Sequence, residues 1–124
     1  MGKGKPQVNE NLKLFIIILN RTEYLDDILT LFLELGVSGA TIIDSVGMGR
    51  IVSKDIPIFA SFSDLLSSSR PSNKTILTIV REDLIAEIVD GIEKSIGDFT
   101  ETGMGIYFTL SLDQVWGLTK GLDD

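Results

Sequence analysis

GVSGATIIDSVGMGR, residues 36–50, runs from a helix stop through a strand into a glycine turn without a break. Gly36 suits the left-handed residue that ends a helix. The segment ATIIDS (40–45) has a short β-branched centre and reads as a strand. Val46-Gly47-Met48-Gly49-Arg50 then reads as a tight turn followed by an arginine. The same turn returns at Gly103-Met104-Gly105, within TGMGIYF (102–108), this time without an arginine. Turns of this kind let backbone N–H groups approach phosphate oxygens, and an arginine adds bidentate charge. They serve equally well as bends into a strand.

Outward from that stretch the periodicity is legible. LKLFIIIL (12–19) is short, apolar and β-branched, the pattern of a strand buried on both faces. Thr22 can cap a helix whose first turn holds Asp26 and Asp27, and Leu25, Ile28, Leu29, Phe32 and Leu35 recur at helical spacing. TILTIV (75–80) predicts a third strand. Glu82 to Ile96 predicts a second helix closed by Gly97, and GIYFTLSL (105–112) a fourth strand. Between the second and third strands, residues 46–74 carry Pro57, Pro71 and three consecutive serines, with one capped turn suggested by SFSDLL (61–66). A loop of that length in a small domain is more often functional or mobile than inert. Residues 1–11 read as a flexible arm.

The order β-α-β-β-α-β with right-handed crossovers predicts an α+β, ferredoxin-like sandwich: a four-stranded antiparallel sheet with two helices on one face. Two helices cover one face only. The unbroken apolar run Leu14–Leu19 therefore predicts a subunit partner for the other.

Composition narrows the chemistry. The 124 residues suffice for one domain, and a net charge of -7 argues against nucleic acid and against an anionic membrane surface. With neither cysteine nor histidine, the chain has no disulfide, no thiolate nucleophile, no Ser-His triad and no usual zinc set. The longest apolar run is too short to span a membrane, and a polar Asn20-Arg21-Thr22-Glu23 follows it instead of a cleavage site, so the expected location is cytoplasmic. Asp26-Asp27 and Glu82-Asp83 sit at helix starts, where the dipole accounts for them better than a catalytic pair does.

The joint placement of GVSGATIIDSVGMGR (36–50) and TGMGIYFTLSLDQVWGLTKG (102–121) in this fold order resembles PII nitrogen-regulatory signalling proteins, over residues 12–121 as a single domain with a long loop 46–74. The resemblance implies a regulatory homotrimer rather than an enzyme. It also implies adenine-nucleotide binding in the clefts between subunits, and a loop that signals to a target protein. By position Thr41 matches a family residue near the adenine. Gly47, Met48, Gly49 and Arg50 match the root of the long loop, and Gly103, Met104 and Gly105 match the phosphate turn.

The departures are specific. Ile106 stands where the family has lysine, Met104 where it has an acid, Gly117 and Thr119 where it has arginines, and Ile51 where a glutamine helps hold a metal-chelated 2-oxo acid. No tyrosine lies between Arg50 and Thr75 to accept a nucleotidyl group. Each charge-assisted hydrogen bond contributes about 1.5–3 kcal/mol, so the loss of several cations argues against family-type MgATP with 2-oxoglutarate. It leaves an adenine nucleotide of lower phosphate charge, or another anion, as the candidate ligand. A ligand-independent trimeric adaptor with an eroded site is the competing reading. A small enzyme is the weakest, since no acid–base constellation is visible.

Overall fold

The computed structural model of the chain describes residues 11–37, 39–48, 72–101 and 103–118. Its elements are β1 (Leu12–Leu19), α1 (Leu25–Glu34), β2 (Thr41–Ser45), β3 (Asn73–Arg81), α2 (Ile85–Ser95) and β4 (Gly105–Ser111). The strands form one sheet in the order β2-β3-β1-β4, with antiparallel neighbours throughout. This is the expected ferredoxin-like arrangement, and the most apolar strand, β1, lies inside it.

Three boundaries differ from expectation by more than one residue, one of them the start of the second helix, where a 3-10 turn, Glu82–Leu84, precedes α2. Thr22 does not cap α1. A 3-10 turn, Thr22–Tyr24, comes first, and the helix begins after Tyr24 with no side-chain cap. The Tyr24 N–H reaches the Arg21 carbonyl oxygen at 3.0 Å, so the tighter turn satisfies a donor that a hydroxyl was expected to meet. Asp26 and Asp27 do lie in the first turn of α1. In addition, β3 begins at Asn73, two residues before the apolar run, because polar side chains hold its first pairs. Asp44 takes an ion pair from Lys74, and Ser45 bonds Asn73. The short helical turn expected at SFSDLL lies outside the described residues.

Register assigns the faces. Phe15, Ile17 and Leu19 of β1 share a face with Ile76 and Val80 of β3, and pack with Ile28, Leu31 and Phe32 of α1 and Ile88 and Ile92 of α2 into one buried cluster. At the β4 side, Tyr107 stacks on Phe15 at 5.7 Å between ring centroids and meets Phe99 edge-on at 4.9 Å. Asp98 fixes the turn that carries Phe99: its carboxylate accepts the Thr100 N–H at 2.9 Å and the Thr100 hydroxyl at 2.7 Å. Those bonds hold the Asp98 carboxyl below its ordinary value.

The other face carries the alternate residues. Across the strands they form the rows Ile43–Thr75–Ile18–Ile106, Thr41–Leu77–Ile16–Phe108 and Ile79–Leu14–Leu110. Ile43, Ile106, Phe108 and Leu110 remain exposed there, between 38% and 55%. Burying such a side chain completely contributes about 1.5–3 kcal/mol, so half-burial leaves roughly half of that unrealised at each of the four. The total is comparable with the net stability of a small domain.

Phe15→Ala should lower the unfolding free energy by about 3–5 kcal/mol in denaturant titration, since a fully buried aromatic is removed together with its stack. A loss below about 1 kcal/mol would contradict the assigned core. Burial, and then the charges of Glu93 and Asp98, raise the Tyr107 phenol above its ordinary value. The unfolded chain therefore loses that proton first. The stabilisation is complete below about pH 10 and is lost as pH rises through the folded value. Tyr107→Phe should flatten the alkaline fall in melting temperature, and an unchanged fall would contradict the burial.

Candidate functional site

The two glycine turns lie at the same end of the sheet, on opposite edges. Gly47 follows β2 and Gly103-Met104-Gly105 leads into β4. Three strand spacings of about 4.8 Å separate those edges, roughly 14 Å in all. The separation is bridged by one transverse row. Continuing the register one step past β1 sets Asn20 opposite both Asn73 and Met104. The Asn20 N–H donates to the Met104 carbonyl oxygen at 3.0 Å, and Asn73 Nδ2 donates to Asn20 Oδ1 at 3.2 Å. Ser45 Oγ donates to Asn73 Oδ1 at 2.5 Å. With its proton so used, Ser45 Oγ accepts from Thr75 Oγ1 at 2.7 Å. Asn73 is only 4% exposed, so this network satisfies an amide that would be costly to bury alone.

The glycines have different reasons. A Cβ on Gly105 would lie 2.1 Å from the Ile18 carbonyl oxygen, and its φ is +136°. Backbone packing between β4 and β1 therefore requires glycine at 105 without any ligand. Gly103, at φ +77°, has nothing within 4 Å of a Cβ position. It needs glycine for its conformation alone and faces open space. Gly47 packs beside the network, its would-be Cβ 3.3 Å from Asn73 Nδ2.

The remaining site candidates do not all converge. The Met104 side chain is buried, whereas Met48 is exposed. Thr41 opens β2 at its far end, four residues and about 13 Å from Ser45. Gly49 and Arg50 lie outside the described residues. Sequence reasoning missed Asn20, Ser45, Asn73 and Thr75. The available signal was a polar residue at the end of each of three strands that the fold order sets side by side.

Each described lysine and arginine has a polar partner. Arg21 pairs with Glu23, Lys74 with Asp44, Arg81 with Asp83 and Lys94 with Asp90, while Lys13 bonds Ser111. A backbone hydrogen bond, and after it the bond from Arg21, hold the Glu23 carboxyl below its ordinary value. Ile106, next to the turn, points to the apolar open face opposite Ile18. An apolar pocket of about 240 Å³ between α1 and β2, lined by Phe32, Leu33, Val37 and Ile42 among others, lies on the helix side. Among the described residues no group of three or more acidic side chains could hold a metal, and no helix is long and apolar enough to cross a membrane.

Comparison with known proteins decides the family. The profile of the nitrogen regulatory protein P-II family matches residues 12–121. The chain belongs to the PII family. PII proteins are regulatory, and the four-stranded sheet with its two helices is the PII fold. Among solved structures, the PII-like protein CPII from Thiomonas intermedia K12, bound to ADP, AMP and acetate, is 22% identical with a TM-score of 0.58, over 90% of this chain and 93% of that one. A putative PII-like signalling protein from Thermus thermophilus is 20% identical with a TM-score of 0.58, over 85% and 89%. Arabidopsis thaliana PII bound to citrate is 15% identical with a TM-score of 0.58, over 85% and 80%. Among curated proteins no sequence matches.

Gly103→Ala should cost about 1–2 kcal/mol, the penalty of a left-handed conformation. Gly105→Ala should cost more, because strain is joined by a backbone clash. Comparable melting temperatures for the two variants would contradict the close approach of β4 to β1.

Proposed function

We propose that this chain is a PII-like regulator that forms a homotrimer, senses a small ligand in the clefts between its subunits and signals to a target protein through loop 46–74. The observation that carries the reading is the convergence of the loop root and the Gly103-Met104-Gly105 turn on one end of the sheet, joined by a continuous polar row. The apolar open face supports the trimer, since two further copies of the same surface would bury Ile43, Ile106, Phe108 and Leu110. Thr41, remote from the turns within one chain, would then serve a cleft built with a neighbouring subunit.

The ligand is an adenine nucleotide of low phosphate charge. CPII of Thiomonas intermedia is bound to ADP and AMP, which supports that class in a relative. In this chain Ile106 lies on the apolar face, and Met104 leaves no charge at the turn, so a fully charged MgATP with 2-oxoglutarate has little to hold it. Arg50 supplies the cation, and the open backbone at Gly103 supplies the approach. The role is regulatory, without turnover, in the cytoplasm, and involves neither nucleic acid nor membrane insertion.

Titration of the purified chain with AMP, ADP, ATP, cyclic AMP and cyclic di-AMP tests this directly, followed by melting temperature and by the fluorescence of Trp116, the one tryptophan, which is exposed in the segment after β4. A saturable response to AMP or ADP is expected. Arg50→Ala should weaken it about tenfold or more while leaving the melting temperature nearly unchanged. Silence across the panel would overturn the ligand-sensing reading and leave a ligand-independent adaptor acting through loop 46–74.

A further inference from the structure

We infer that Asn73 is a positioning residue that couples the Gly103-Met104-Gly105 turn to the root of loop 46–74. The inference rests on the regulatory reading for its purpose, but not for its physics. The row Ser45–Asn73–Asn20–Met104 crosses all four strands at the loop-root end, and each step is a hydrogen bond. Asn73 is the step at which the two halves meet. Its Oδ1 accepts from Ser45 on the loop side, and its Nδ2 donates towards Asn20, whose own N–H is held by the turn.

An amide suits this position because one rigid group carries an acceptor and a donor at once. Its orientation cannot change for one neighbour without changing for the other. At 4% exposure water cannot readily replace either bond, so movement at one end carries a cost at the other. A Cβ at Gly47 would lie 3.3 Å from the same Nδ2 atom, so Asn73 sits beside the backbone that leaves β2. The neighbouring rows on this face are largely apolar, and none of them offers a comparable polar path between the two edges. Displacement of the turn by a bound ligand would pull on Asn20 and so on Asn73, and the loop root would respond. Linkage requires the reverse transmission as well.

Amide hydrogen exchange in the ligand-free protein, read by NMR, tests the coupling whether or not ADP binds. The informative ratio is the exchange rate of the Asn20 N–H over that of Ile17 in the core, which cancels a uniform loss of stability. Ser45→Ala, two strands away, should raise that ratio about fivefold. Asn73→Asp keeps the acceptor for Ser45 but loses the donor to Asn20, and it should raise the ratio at least as much. Adding Ser45→Ala to Asn73→Asp should then change nothing further. An unchanged ratio in Ser45→Ala, or effects of the two substitutions that multiply independently, would overturn the inference. Asn20→Asp, which keeps an acceptor for Asn73, should leave Val46 and Gly47 exchanging as in the wild type, whereas Asn20→Ala should accelerate both. Equal behaviour of those two variants would also overturn it.

Discussion

The structure depends on β1 being apolar on both faces while occupying the inside of the sheet. Phe15, Ile17 and Leu19 meet the helices, while Leu14, Ile16 and Ile18 face the other way. One strand thereby commits the molecule to two interfaces, one built by its own helices and one that needs a second surface. The neighbouring strands agree with it. Opposite Ile16 and Ile18, β4 places Phe108 and Ile106, side chains that a solvated sheet face would not carry.

That commitment also locates the departures from the family pattern. At the residue after the second glycine turn, a lysine would serve an anion, whereas Ile106 extends the apolar row through Ile18. Gly105 is explained by strand packing, and Met104 is buried, so two of the three residues in the turn have structural reasons. On the open face the polar row at this end is made of neutral groups, two asparagines, a serine and a threonine linked across the strands.

Much of the fold was legible because its signals were local. The apolar run in β1, the helical spacing from Leu25 to Leu35 and the glycines after both helices each fix an element without reference to distant residues. Their order then restricts the topology through the handedness of crossovers. The misses came where pairing, not pattern, decides. Asn73 and Lys74 look like loop residues until β2 is set beside them, when Ser45 and Asp44 become their partners. Thr22 resembles a cap until a 3-10 turn precedes the helix. The site was only half legible for the same reason. Glycine turns are visible in a string of letters, but a row of three polar side chains closed by a backbone carbonyl exists only once the strand register is known.

The central claim is that the open sheet face is buried by copies of the same chain. Sedimentation equilibrium at micromolar concentration measures this most directly. A single species of three times the 13.6 kDa chain mass is expected, and Phe108→Asp should dissociate it. A well-folded species that sediments at 13.6 kDa across the concentration range would contradict it, because β1 would then keep an apolar face without a partner.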